Sequence, residues 1–501
     1  DDAYLVVTVG LNDSQPEHRK FSTVADEVRE FHEATRLDIQ PDGLQQLSDA
    51  LEELRPANVL FVIPPELLDV NFHRQVLMIS PTLDNDIFAD FCFGYLTARD
   101  GDAVQSLWSR IEQLHKSGFR NRTWIETAVT SSSESFVNEN PNSLSAAAVA
   151  SGFTGKNIYF AIIEKDPNVM KFVDEQLPQL ETASVITMTG NGDPQGVWLF
   201  DDSRNADSSQ HWSFDPARVG HDPDGKMPRI MASQFADLNL DSPIIWSGTC
   251  HSGACQKVFV EGDIVSTFGS SDAVELYDLK PQESMALALI DAGAASLLVP
   301  VASNHGYSTL SESWFACRNG ASLGEIIKFT YDDVFYQAGG IPNLLIVAEG
   351  DSHDYHSEPI MQGAGANRIL IGDPALRLFA ATEVPGETIS VSAGGTDQLT
   401  VDLVWEKGFH PLGWNIYTND YQNASRRVAI RIPAPDGMTI ADQEKLTATV
   451  TVQNQQGREI TFHGSANIEQ HNGESWLHLQ ATGNDDETGY QYRHATFQLS
   501  W

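Results

Sequence analysis

At 501 residues with 41% hydrophobic content, the chain is too long for one ordinary domain and has apolar material for several cores, so two to four domains are expected. Its 69 acidic against 31 basic residues, a net charge of −38, disfavour nucleic acid and anionic membrane surfaces, which are gripped through lysine and arginine. No apolar run reaches the roughly 18 residues of a spanning helix, so no membrane span is expected.

Along the first part, strands and helices alternate. Residues 4–9 read as a strand, 24–36 and 44–54 as helices, and 58–63 as a strand stopped by Pro64-Pro65. A mixed apolar segment follows at 87–96, then an amphipathic helix at 103–114. Such alternation predicts a parallel α/β sheet. The serine-rich stretch 130–135, followed by 138–143, reads as a connector. The alternation then resumes with helices at 144–151 and 169–176 and strands at 158–164 and 185–189. A long polar segment, 201–241, has the character of a functional loop or insertion. After the strand that ends at Cys250 come a helix at 284–292, a strand at 296–301, a helix at 323–336, a strand at 343–347 and a closing segment at 368–379. From 387 to 501 short alternating runs are divided by Gly, Asn and Asp, the signature of a β-sandwich. The expected domains are 1–135 and 136–382, both α/β, and 383–501, all-β.

The run Ser242-Pro243-Ile244-Ile245-Trp246-Ser247-Gly248-Thr249-Cys250 is apolar enough for a buried parallel strand, and His251-Ser252-Gly253-Ala254 follows it. A thiol at the carboxyl end of a parallel strand sits where open α/β sheets place their ligands. The small residues around it let backbone N–H groups approach a substrate carbonyl. A catalytic thiol also needs a base. The strand 185–189 ends in Gly190-Asn191-Gly192, a turn that would thrust residue 191 toward the thiol if the two strands are neighbours. Histidine would be the natural base there, yet the residue is asparagine. An amide does not titrate near neutral pH and can only hydrogen-bond.

Three segments resemble the gingipain-type peptidases, within the caspase-like group of cysteine peptidases. Gly190-Asn191-Gly192 resembles their Gly-His-Gly turn, 246–253 their strand ending in the nucleophilic cysteine, and Leu370-Ile371-Gly372-Asp373-Pro374 their Leu-x-Gly-Asp-Pro closing motif. The resemblance implies a caspase-like parallel-sheet sandwich in two subdomains, followed by an immunoglobulin-like domain. It also implies a cysteine endopeptidase acting through a thiol acyl-enzyme on peptide or protein substrates, with no required cofactor. Cys250 would be the nucleophile, and the N–H groups of Cys250 and of Gly190 or Gly192 the oxyanion donors. Asn191 would stand in the place of the catalytic histidine. That position leaves three explanations open: engineered inactivation, a natural pseudopeptidase that binds or scaffolds peptides, or a substitute base. The best substitute is His305, just past the strand 296–301. Trp198 and His251 are candidates for substrate contact.

The remaining cysteines, Cys92, Cys255 and Cys317, match no zinc template and are expected as packing residues, Cys255 on the next helix. A 250–255 disulfide would consume the nucleophile. Asp84, Asp86 and Asp90 form an acidic cluster with oxygen ligands suited to Ca²⁺, and Asp222 with Asp224 forms another. His211, His221 and Asp215 fit no zinc spacing. The acidic excess reads as a solvated shell like that of salt-adapted proteins, or more sharply as a surface for Ca²⁺ or cationic substrates. Together with the terminal sandwich and the missing span, it suggests an extracellular or periplasmic, secreted protein. Asp1-Asp2-Ala3 lacks a basic n-region, so no signal peptide is expected within these residues.

Overall fold

A computed structural model describes residues 3–12, 14–128, 151–159, 169–189, 192–198, 229–260, 275–302, 309–342, 344, 346, 348, 365–383, 387–395, 397–405, 426–454, 457–460, 462–471, 473–483 and 492–501. The chain opens with β1 (Tyr4–Val9), buried along its whole length. Helix α1 (Pro16–Phe31) carries Pro in its first turn, where the missing N–H costs nothing, and buries Phe21, Val24, Ala25 and Val28 at helical spacing. It therefore starts earlier than the apolar pattern predicted and stops sooner. Residues assigned to its end belong instead to β2 (Thr35–Ile39), a half-exposed edge strand. Next come α2 (Leu44–Leu54) and β3 (Asn58–Val62). Helix α3 (Val70–Ile79), not foreseen in the sequence, is capped by Asp69, which accepts from Phe72 N at 2.9 Å. Strand β4 (Cys92–Leu96) precedes α4 (Gly101–Ser117), capped by Asp100 and stopped at Gly118 with φ +65°.

The second half of the α/β region contributes β5 (Thr123–Ala128), β6 (Thr154–Tyr159), α5 (Val169–Gln176) and β7 (Val185–Thr189), then a small antiparallel sheet of β8 (Gly192–Asp193), β9 (Gly196–Trp198) and β10 (Arg229–Met231). Helix α6 (Ala232–Ala236) leads into β11 (Ile244–Ser247). The hairpin β12 (Lys257–Val260) and β13 (Glu275–Asp278) follows, then α7 (Met285–Asp291), β14 (Ser296–Pro300), α8 (Thr309–Asn319), α9 (Leu323–Ala338) and β15 (Arg368–Ile371).

Ten of these strands make one mostly parallel sheet in the order β2-β1-β3-β4-β15-β14-β11-β7-β5-β6. Helices cover it, and one continuous hydrophobic cluster runs from Tyr4 to Phe379. β15 pairs antiparallel with β14, Arg368 opposite Pro300 and Ile371 opposite Leu297, and meets β4 at Ile371–Tyr95. Of the strand expected at 343–347, Leu344 and Ile346 are described and neither is extended in a sheet. The connector at 130–143 and the helix at 144–151, Ser151 apart, lie outside the described residues.

From residue 387 the chain forms two antiparallel sheets. One is β16 (Glu387–Gly395), β17 (Gln398–Trp405), β23 (Tyr492–Ser500), β19 (Thr447–Asn454) and β20 (Glu459–Ile460) in that spatial order. The other is β18 (Arg426–Pro433), β22 (Glu474–Gly483) and β21 (His463–His471). Alternate residues such as Leu399, Val401 and Leu403 meet Leu477, Leu479 and Phe497 in a separate core, the period-2 logic of a sandwich.

Candidate active site

β11 is buried at all four residues and lies between β7 and β14, parallel to both. The carboxyl ends of the three strands therefore form one edge. The register with β7 ends at Ser247 opposite Met188, and Gly248 N then donates to Met188 O at 2.8 Å. On the other side, His251 N donates to Ala302 O and Gly253 N to Pro300 O, each at 2.8 Å. The turn after β11 is thus stitched to the ends of both neighbouring strands.

Within that turn Thr249 and Ser252 are fully buried, Ser252 Oγ lies 3.0 Å from Ser247 Oγ, and Ser247 Oγ accepts from Thr249 N at 3.1 Å. His251 takes a left-handed backbone, φ +57°, which a non-glycine residue adopts only where the surroundings impose it. The residue is only 1% exposed, so it offers almost no surface for the substrate contact expected of it. Cys250, by contrast, is half-buried, whereas Cys92, Cys255 and Cys317 are buried. Burial pushes the Cys255 thiol up to about 12 and that of Cys317 to about 11, and raises Cys92 as well. These three are inert packing residues, as expected, although Cys255 sits in the turn before β12 rather than on a helix.

Gly192 begins β8 and packs directly on the turn that follows β11. A Cβ there would run into the Thr249 side chain and the Gly196 carbonyl. Close approach, not a positive φ, demands glycine at this place. Gly192→Ala should therefore force the two turns apart and slow alkylation of Cys250 by at least tenfold, read by mass spectrometry, while the far-UV spectrum stays native. Two buried polar atoms near this junction, Thr249 Oγ1 and Gln195 Oε1, have no hydrogen-bond partner among the described residues. Gly190, Asn191 and His305 lie outside the described residues, as do Asp222, Asp224, His211, His221 and Asp215. Trp198 ends β9.

Sequence reasoning missed the group beneath this turn. Arg368, at the head of β15, is fully buried and forms a fork with Glu312 on α8: Nε to Oε1 and Nη2 to Oε2, both 2.6 Å. Its Nη1 donates to Ser247 O at 2.8 Å and its Nη2 to Leu298 O at 3.2 Å. The guanidinium thus holds the last carbonyl of the strand that delivers Cys250. An arginine heading an otherwise apolar strand, Arg368-Ile369-Leu370-Ile371, was the available signal.

The acidic cluster is closed on itself. Asp84 Oδ1 accepts from Asp86 N, Asp86 Oδ1 from Phe88 N, Asp86 Oδ2 from Gln470 N and Asp90 Oδ2 from Leu83 N, at 2.7–2.8 Å. These oxygens are spent on backbone donors. The Gly372-Asp373-Pro374 motif has a visible task. Asp373 is fully buried and takes Tyr4 OH at 2.8 Å and Ala375 N at 2.9 Å on Oδ1, and His32 and His115 Nε2 at 2.7 Å each on Oδ2. Burial alone would raise its carboxyl, but the two histidines outweigh it and hold the group well below the usual range.

No helix among the described residues is long and apolar enough to cross a membrane. No family model matches the chain, and no curated protein matches it. A solved structure named "Structure of Protease" aligns over 99% of this chain and 97% of its own at 8% identity, with a TM-score of 0.41. Similarity at that level leaves the functional reading to rest on the chain's own geometry.

Proposed function

We propose that the chain is a cysteine peptidase of gingipain type, with Cys250 as its nucleophile. The observation that carries this is the half-buried Cys250 on a tight turn at the end of a central strand, the turn stitched on both sides to neighbouring strand ends. Counted from the last paired residues, Met188 and Ser247, Asn191 and Cys250 are each three residues on. His305 is likewise three residues beyond Ala302, whose carbonyl accepts from the nucleophile turn. The described residues that precede both candidate partners in the chain, Met188 and Ala302, thus flank the turn that carries Cys250.

In the proposed reaction the Cys250 thiolate attacks the scissile carbonyl carbon. The oxyanion is held by the N–H of Cys250 and of Gly190 or Gly192. The amine leaves with the proton that the thiol gave up, relayed by the base that His305 or a histidine at 191 would supply, and water then hydrolyses the thioester to release the acid and restore the thiol. The two unsatisfied buried oxygens at the junction suit a site that completes its hydrogen bonds only with a substrate. The net charge of −38 favours cationic substrates and a secreted, extracellular or periplasmic setting. The terminal sandwich serves as an immunoglobulin-like module.

Asparagine at 191 makes low turnover the expectation. Asn191→His should raise peptidase turnover by roughly 100-fold or more, the usual worth of a positioned general base, and Cys250→Ala should abolish it. If Asn191→His leaves turnover unchanged while His305→Ala removes it, His305 is the base. Asn191 also favours a second reading, a pseudopeptidase that holds peptides uncut. That reading predicts peptide binding in both the parent chain and Asn191→His, with no cleavage by either.

A further inference from the structure

The buried Asp373 lies two residues past Ile371, which pairs with the start of β14, so it sits at the sheet edge opposite Cys250. Two helices end there. His32 is the C-cap of α1 and His115 belongs to the last turn of α4. Helix C-termini carry partial negative charge, and here two of them converge on a fully buried carboxylate. None of Asp373's partners is lysine or arginine; they are Tyr4, Ala375 and the two imidazoles. The place therefore collects negative potential and offers it three ligand atoms, which all lie within 4.8 Å of one another.

A second cluster makes the contrast. Asp332, Glu469 and His478 are as close together, but the Lys328 ammonium lies 2.7 Å from Asp332 and 2.5 Å from Glu469, and Arg431 2.7 Å from Glu469. Resident cations already fill that cluster. At Asp373 no such cation lies among the described residues.

We propose that His32, His115 and Asp373 form a binding site for one divalent transition metal of the Zn²⁺ class. Two imidazoles and a carboxylate suit Zn²⁺ rather than Ca²⁺, which prefers six to eight oxygens. The supports around the ligands are those a metal site needs. Tyr4 OH and Ala375 N fix the distal oxygen of Asp373. The His32 ring stacks on Tyr4, centroids 4.1 Å apart and planes nearly parallel, and His115 packs on Phe31 at 5.2 Å. The histidine side chains remain 12% and 15% exposed, leaving an entry path and room for water as a further ligand. Binding requires each Nε2 lone pair to face the metal, with the ring proton on Nδ1. It also requires the 2.7 Å ligand separations to widen to roughly 3.0–3.4 Å, as Zn–ligand bonds of about 2.0–2.1 Å demand. The site ties α1, α4 and the end of β15 together, and it is independent of the peptidase reading.

The test is calorimetric titration of the full chain, stripped with EDTA, against Zn²⁺, with Ca²⁺ as comparator. The expected result is one Zn²⁺ per chain, no matching Ca²⁺ binding and a higher midpoint of thermal unfolding with Zn²⁺. His32→Ala and His115→Ala should each weaken binding by more than about 100-fold and remove the thermal shift. His32→Gln and His115→Gln, which keep the volume, serve if an alanine variant fails to fold. Absence of stoichiometric Zn²⁺ binding, or equal binding by the folded histidine variants, would overturn the proposal and leave the cluster an imidazole–carboxylate clamp.

Discussion

Arg368→Met should lower the unfolding free energy by about 3–5 kcal/mol, the usual effect of orphaning one member of a buried ion pair. Glu312 is itself fully buried, so among the described residues its carboxylate would keep only Thr330 Oγ1, 2.9 Å from Oε1. The carbonyls of Ser247 and Leu298 would lose their guanidinium donor. Arg368→Met combined with Glu312→Gln should recover much of that loss, because replacing both partners removes the stranded charge. It should not recover the position of the β11 end, since nothing then binds Ser247 O in place of Nη1. Chemical denaturation would show stability returning in the double variant while alkylation of Cys250 stays altered. If both return together, the ion pair is a stability element without a part in placing the thiol.

Lys328→Met should loosen the sandwich from the α/β region. Lys328 on α9 reaches across to Glu469 on β21, and Glu469 also takes Arg431 at 2.7 Å and His478 at 2.6 Å. His478 in turn stacks on Phe88 at 4.0 Å. All of Lys328, Asp332 and Glu469 are buried. Losing the ammonium strands the buried Asp332 carboxylate and leaves Glu469 with Arg431 and His478 alone, again about 3–5 kcal/mol. Calorimetry should then show the sandwich melting apart from the remainder in a separate, lower transition. A single transition shifted as a whole would contradict a local junction.

The same junction should respond to pH in two opposite ways. Burial raises the Glu469 carboxyl, but Lys328, Arg431 and His478 outweigh it and depress it well below its ordinary value. A depressed acid contributes stability above its unfolded pKa, about 4.3, and loses it as pH falls toward the lower folded value. Asp86, which receives Gln470 N from the sandwich, is raised by burial to about 7. A raised acid contributes fully below its unfolded pKa, about 3.9, and that contribution is lost as pH climbs through about 7. The sandwich transition should therefore be highest at mildly acidic pH and fall on either side. Asp86→Asn should flatten only the alkaline fall.

The strands that deliver the candidate site were legible because they are buried on both faces. Ile244-Ile245-Trp246 and Ser296-Leu297-Leu298-Val299 read as unbroken apolar runs. β2 was not legible, since Thr35-Arg36-Leu37-Asp38-Ile39 is a half-exposed edge with charges in its pleat. α3 hid behind His73 and Arg74, which are buried yet polar. His73 bridges Tyr95 OH and Ala366 O, contacts no local pattern reveals. β5 carries Glu126 and Thr127 in its middle, and burial lifts the Glu126 carboxyl to about 7. The two polar devices of the sheet join distant residues. Arg368 and Glu312 are 56 positions apart, and Asp373 lies 341 from His32 and 258 from His115. Spacing rules read neighbours on one element, so these partnerships exist only once the sheet has formed. The helix expected after Cys250 failed for a local reason: the left-handed His251 turns the chain into the β12–β13 hairpin.

The central claim is that the ends of β7 and β11 bring residue 191 and a reactive Cys250 into one crevice. A peptide chloromethyl ketone with arginine at its reactive end, applied to the parent chain and to Asn191→His and followed by peptide mass spectrometry, tests it most directly. The account predicts an adduct on Cys250 and none on Cys92, Cys255 or Cys317, forming about 100-fold faster or more in the Asn191→His chain. An unlabelled Cys250 in both chains, or equal labelling rates in the two with His305→Ala also without effect, would contradict it.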